Sequence, residues 1–426
     1  MSTNNQLVIP FRWATRYDKG NKRIKSEIIQ FAALKLRAGK LHTPGDTLSD
    51  AVKLTCLAQR LPIEFHSVTY ASKVQELELV EGHMRILLRP DAGFESLTTV
   101  SASEPLLSEA AYWMMDPDAT FKAAETLESC LEGYAIHKGD RGELLVMLLF
   151  ILARDRAIGH PDNYGRPGSG RRWCSVPKFM NALFKFKRHP SYDDSLKALF
   201  ANSKIFFNHW VKIHQHAIVD VQYLAQLMRR GAALLCANNQ AGIDGVIPFL
   251  LAGHTIFPNN IGVILWQVKN DSKHTDKPDH SLFNAMNPYK LGILNAGDDI
   301  LFIRIIFSLA SKSPCLTRVK CQDDPKSYNL WVGGISPTVF SPVGDDASIW
   351  AGLLQATYGW EDTYKKTDRA VADLRRSMNP GTAEDEHHWK NWADFTAMGN
   401  IKKNDDEDES MDEDESTYED ESMDED

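Results

Sequence analysis

The sequence predicts a mixed α/β fold of the α+β kind, and three observations carry that prediction. A mostly helical stretch runs from about 120 to 230. Three short apolar strands then follow at 232–236, 243–251 and 261–268, separated by Asn, Gly and Pro. A fourth strand, 299–311, comes after a polar connector. The order is helix, three-strand meander, connector, strand.

Ahead of that block, residues 1–115 read as an N-terminal α/β region. "LSDAVKLTCLAQRL" (48–61) has helical spacing and opens on Ser49 or Asp50 as a start signal. "IEFHSVTYAS" and "ELELVEGHMRILLRP" alternate with period two and are predicted as strands. "FKAAETLESCLEGYAI" is amphipathic. "ELLVMLLFILARD" (143–155) is apolar on every side, which predicts a helix buried all round. "GHPDNYGRPGSGRRW" (159–173) is a Gly- and Pro-rich loop, and helical patterns resume in "PKFMNALFKF", "YDDSLKALFAN" and 206–230. After the meander, 347–360 and 367–378 read as closing helices. The end of the chain repeats "EDESMDED" at 407–414 and 419–426. Such a run repels itself and buries nothing, so the tail is expected to be disordered.

The net charge of −9 conceals a split. Residues 405–426 hold fifteen of the 57 acidic residues and no Lys or Arg, leaving 42 acidic against 48 basic residues and a body at +6. A basic body suits a polyanion, and the acidic tail suits a basic protein partner. Six scattered cysteines without a CxxC pair imply reduced thiols. The start is polar, with Arg12 and Arg16 early, and the longest apolar run (144–153) is about half a membrane span. A soluble, intracellular protein with no membrane partner is expected, with nucleus and cytoplasm not distinguished.

Chemistry concentrates in two of the strands. Asp244 opens the strand of "GIDGVIP", and the strand of "IGVILWQVKN" ends on Gln267, Val268 and Lys269. With period two, Gln267 and Lys269 share a face while Val268 points the other way. If the strands form a hairpin, Asp244 and Gln267 meet at the same edge. That arrangement suits metal-assisted phosphodiester hydrolysis. Mg²⁺ (or Mn²⁺) takes one or two carboxylates plus neutral oxygens, here Asp244, the Gln267 amide oxygen and the Val268 carbonyl. Lys269 then sits beside the attacking water and the phosphate charge.

"GIDGVIP" followed by "ILWQVKN" resembles the PD-(D/E)XK, or restriction-endonuclease-like, nuclease superfamily. The block from Arg229 to Asn270 also resembles one in families of uncharacterised fungal proteins. The superfamily resemblance implies an αβββαβ core, a divalent metal and cleavage of nucleic-acid phosphodiesters. Carried over by position, it implies metal ligation by Asp244 and Gln267 and a catalytic role for Lys269. Gln267 stands where the family carries a carboxylate, which removes one negative charge from the site. The family often adds a Glu from its first core helix, and 206–230 contains none. Glu143 is the candidate for that third ligand. It reads equally as the N3 partner of an Asp140 N-cap, and both roles stay open.

The expected organisation is an N-terminal region 1–115 and a nuclease-like domain 116–365 with a large helical insertion at about 156–230. A helical segment 366–402 and the disordered tail 403–426 follow. Gln240 and Asn270 are candidate cleft residues, and Arg171 and Arg172 candidate phosphate-backbone contacts. His209, His214 and His216 do not make a zinc site if they lie on a helix, where "HQH" spreads over different faces. The serines of the tail (Ser410, Ser416, Ser422) precede acids and suit an acid-directed kinase. Two other functions fit the same residues: a nuclease-like fold that binds nucleic acid without cutting it, and an interaction protein recruiting basic partners through its tail.

Overall fold

The computed structural model describes residues 22–357, apart from 64, 67–69, 91–96, 116–120, 134–137, 160–171, 187–194, 238–239, 271–273, 296, 299, 322–325 and 345. Contacts divide the chain into Met1–Gly359 and Trp360–Asp426. The expected helix at 367–378, the segment 366–402, the acidic tail 403–426 and its three serines lie outside the described residues, as does Arg171.

The elements begin with α1 (Lys22–Leu36), α2 (Asp50–Arg60), β1 (Phe65–His66), α3 (Tyr70–Gly82), β2 (Arg85–Pro90) and β3 (Leu97–Ser101). Next come α4 (Pro105–Met114), α5 (Ala123–Gly133), α6 (Lys138–Ile158), α7 (Val176–Leu183), α8 (Ser195–Leu199), β4 (Lys204–Ile205) and β5 (His209–Lys212). The rest of the unit comprises α9 (Val221–Arg230), β6 (Ala232–Leu235), β7 (Gly245–Leu250), β8 (Ile261–Lys269) and α10 (His280–Ala285). It closes with β9 (Phe302–Ser308), β10 (Cys315–Val319), β11 (Ser327–Gly333) and α11 (Ala347–Thr357).

The fold is mixed α/β. An eight-stranded sheet has the order β10-β11-β9-β8-β7-β6-β5, with β4 beside β7, and a separate small sheet has the order β1-β3-β2. The predicted meander is present: β6 pairs antiparallel with β7, and β7 with β8. β8 then pairs parallel with β9 across the α10 connection.

The apolar helix α6 lies on one face of the large sheet. Leu144 to Ile151 are each buried, and the Phe150 ring touches Trp266 at 5.9 Å and Phe307 at 5.6 Å between centroids. Each such ring contributes about 1.5–3 kcal/mol by leaving water. A second core on the opposite face joins Leu224, Leu227 and Met228 of α9 and Phe283 of α10 to Val263 and Leu265 of β8. Helices therefore cover both faces of β8. Ile264, Trp266 and Val268 point to α6, while Val263 and Leu265 point to α9 and α10. Among the described residues no helix is long and apolar enough to cross a membrane.

Three expectations are corrected. "ELELVEG" is part of helix α3, not a strand. Glu76 and Leu79 are buried within it and His83 directly after it, a helical spacing, and its Glu, Leu, Gln and Lys residues favour helix. The stretch 156–230 is not an all-helical insertion, because β4 and β5 lie within it and join the large sheet. His209 is consequently on a strand and His216 in a short 3₁₀ turn, with α9 starting only after its Asp220 cap. Strands β10 and β11 extend the sheet beyond the one strand predicted after the connector. Elsewhere Ser49, rather than Asp50, caps α2 by accepting the Val52 N–H.

Candidate active site

The β7–β8 hairpin builds the site. Gly245 pairs with Trp266, which places Asp244, the residue before β7, opposite Gln267. Gly245 is required there, since a Cβ would come within 2.5 Å of both the Leu234 carbonyl and the Trp266 ring. Three residues earlier, Gly242 takes φ +89°, and a Cβ would meet the Ala285 carbonyl at 2.7 Å. The turn can therefore close against α10 only as glycine.

Asp244 ties three strands at this point. Its N–H donates to the Trp266 carbonyl at 2.9 Å, and its carbonyl accepts the Cys236 N–H at 2.8 Å. Its carboxylate Oδ2 accepts the Val268 N–H at 2.6 Å, so the side chain lies on the backbone between Gln267 and Lys269. By the alternation of β8, Gln267 and Lys269 both face the α9 and α10 side.

Three polar groups remain uncommitted here. Among the described residues Asp244 Oδ1 accepts no hydrogen bond, and Lys269 Nζ makes no hydrogen bond or ion pair. Gln267 is 6% exposed, and its Oε1 is buried with no partner among the described residues. An orphaned buried carbonyl costs about 1–3 kcal/mol. Burial pushes the Asp244 carboxyl up to about 6, against the opposing pull of the Val268 N–H and the Lys269 charge. A half-buried carboxylate beside an unsatisfied amide oxygen fits a hard divalent cation, whose usual protein ligands are one or two carboxylates and neutral oxygens. Among the described residues no group of three His, Cys, Asp or Glu side chains is placed to hold a metal. Any cation here must therefore draw on the amide and on water.

A carboxyl raised from 3.8 to about 6 binds its proton more tightly in the folded chain, so stability falls as pH climbs through that window. Asp244→Asn keeps an acceptor for the Val268 N–H and removes the buried charge. It is expected to stabilise the fold by about 1–3 kcal/mol at pH 7.5 and by almost nothing at pH 4. Urea unfolding at the two pH values checks this, and equal shifts at both would contradict it.

Glu143 approaches from the other face. Helix α6 starts at Lys138, so Asp140 lies within it and the N-cap reading of Asp140 and Glu143 fails. Gly142 packs so closely that a Cβ would sit 3.2 Å from Val268 Cγ1 and 3.9 Å from the Asn270 Cβ. Glu143 is half-buried. Burial raises the Cys236 thiol above its ordinary range, and the charges of Asp244 and Glu143 raise it further.

Cys236 is the site residue that sequence reasoning missed. Its only signal is its place directly after β6, one turn ahead of Asp244. Gln240 lies in the β6–β7 loop, half-buried, with a buried Oε1 that has no partner among the described residues. Asn270 directly follows β8 beside Gly142. Arg172 is corrected: it is buried and ion-paired with buried Glu109 (Nε to Oε1, 3.4 Å), so it is not a phosphate contact.

Neither a curated protein nor a solved structure matches the chain. A family model, described as a domain of unknown function (DUF8736), matches residues 57–291, more than half of the chain. That span contains Glu143, Asp244, Gln267 and Lys269, and on it the chain belongs to the DUF8736 family.

Proposed function

We propose that this protein is a metal-dependent nuclease, a phosphodiesterase acting on DNA or RNA, with a restriction-endonuclease-like core. The observation that carries the reading is that three groups at one strand end, Asp244 Oδ1, Gln267 Oε1 and Lys269 Nζ, make no hydrogen bond among the described residues. The element order α9-β6-β7-β8-α10-β9 supports it, because it follows the αβββαβ order that the PD-(D/E)XK resemblance implies.

Asp244 and the Gln267 amide oxygen would hold Mg²⁺ or Mn²⁺, with Glu143 as the further carboxylate, and the cation would supply Lewis acidity at the phosphodiester. Lys269 carries a cation whose charge is felt at Asp244. It offsets the charge that grows on the phosphate during attack and orients the attacking water by donating to it. Gln240 in the β6–β7 loop and Asn270 directly after β8 would contact the substrate. The Val268 N–H fixes the Asp244 carboxylate, so that group does not reorganise when the substrate arrives.

Mn²⁺ titration followed by electron paramagnetic resonance tests the site directly. The wild type should bind Mn²⁺ and Asp244→Asn should not; equal binding by both would sink the assignment. Gln267→Glu adds the carboxylate that the site lacks and should tighten Mn²⁺ by about tenfold, the equivalent of roughly 1.4 kcal/mol. The neutral Gln267 also supports a second reading, a fold that binds nucleic acid without cutting it. Binding without turnover in either metal would favour that alternative.

A further inference from the structure

β6 and β8 both run antiparallel to β7, β5 runs parallel to β6, and β9 and β11 run parallel to β8. Five strands therefore end at one edge of the sheet, and the carboxyl ends of parallel strands are where open α/β sheets place their ligands. Lys212 is level with Leu235, and Leu235 through Gly245 with Trp266. The chain leaving β5 thus reaches the height of Gln267 and Lys269 at residues 213–215, where His214 is exposed, as is His216 directly after them.

The other flank is carried by the connection from β8 to α10. The Trp331 indole N–H donates to the Thr275 carbonyl at 3.0 Å, and the Ser308 hydroxyl donates to the His274 carbonyl at 2.7 Å. These bonds draw the connection over β9 and β11, leaving Lys277 exposed. Lys312 is exposed in the turn between β9 and β10. Of the acids in these segments, Asp220 and Asp279 are occupied as the caps of α9 and α10, and Asp276 is exposed.

We infer that this edge is a track for a polynucleotide strand. His214 and His216 hold one end, Asp244, Gln267 and Lys269 the middle, and Lys277 and Lys312 the other end. The inference rests on the nuclease reading and adds a length to it. From β5 to β11 there are five interstrand steps, about 24 Å at ~4.8 Å each. That distance matches about seven nucleotides at ~3.4 Å per residue of one strand. The ligand is accordingly an oligonucleotide rather than a mono- or dinucleotide.

The test is equilibrium binding of fluorescein-labelled DNA and RNA, single-stranded and duplex, to the full-length protein in EDTA. Lengths of about three, seven and fourteen nucleotides bracket the track. Affinity should rise steeply to about seven and then level off. The variant His214→Ala, His216→Ala, Lys277→Ala, Lys312→Ala should bind about tenfold more weakly, with a salt dependence shallower by about 1.5 in log–log slope. Lys312→Glu alone, an exposed change, repeats the test should the fourfold variant fail to fold. Wild-type affinity in these variants, with cleavage intact, overturns the track and leaves the nuclease reading standing. A wild type that binds none of the strands overturns both.

Discussion

Lys269→Met is expected to slow phosphodiester cleavage by about 10²–10³-fold at saturating substrate while the protein stays folded. The ammonium is half-buried at the last position of β8 and makes no hydrogen bond or ion pair among the described residues. Its removal deletes no hydrogen bond or ion pair, so the unfolding midpoint should not move where Asp244 is protonated and should fall slightly where that carboxyl is ionised. Met retains most of the aliphatic stem. Metal binding separates two roles for the lysine. Its charge lowers the Asp244 carboxyl, so removing it lets that carboxyl rise further. Mn²⁺ affinity should fall near pH 6.5, where the proton competes, and stay close to wild type at pH 8, where Asp244 is ionised in both proteins. A rate loss that persists at pH 8 assigns Lys269 to the chemical step. A loss that vanishes at pH 8 would confine it to tuning Asp244.

Asp155→Ala is expected to cost about 3–5 kcal/mol of folding stability. Asp155 closes α6 near its last turn and holds two buried guanidinium groups. Arg60, fully buried, donates to it twice, at 2.5 and 2.7 Å, and Arg154 donates at 3.0 Å. Arg60 Nε also donates to the Asn208 carbonyl at 3.0 Å, so this one carboxylate ties α2, α6 and the approach to β5 together. Losing it leaves two positive charges in a dry junction with Glu109 as the nearby acid. Burial alone would raise the Glu109 carboxyl, but Arg172, Arg154 and Asn208 hold it below its ordinary value. Urea unfolding measures the loss. The double variant Arg60→Met, Asp155→Leu removes both charges of the closest pair and should recover part of it. A double variant as unstable as the sum of the two single changes would contradict the ion-pair explanation.

The β6–β7–β8 meander was readable because apolar runs bounded by Gly, Asn and Pro leave little choice of element. The same alternation that orients β8 placed Gln267 and Lys269 on one face, and the hairpin brought Asp244 opposite. Those relations are local or nearly so. "ELELVEG" was misread because alternating Glu and Leu satisfies period two and a helical face at once, and the buried Glu76 is explained only by its bond with Thr99 across the small sheet. β5 was missed because its buried polar residues look unlike a strand. His209 is held by Ser103 and Asn208 by Glu109, partners about a hundred positions away. Arg172 misled for the same reason, since its mate Glu109 cannot be inferred from spacing. Glu143 and Cys236 approach the site from elements whose docking depends on the whole sheet.

Cleavage of a labelled oligonucleotide of about fourteen nucleotides in Mn²⁺ or Mg²⁺, comparing wild type with Asp244→Asn, tests the central claim most directly. The wild type should cut in metal and not in EDTA, with a rate that is half-maximal at about pH 6, where Asp244 is half ionised, and that levels off well above it. Asp244→Asn should be inactive although it is the more stable protein at neutral pH. Cleavage by Asp244→Asn at the wild-type rate, or wild-type cleavage that persists in EDTA, would contradict the assignment of this site.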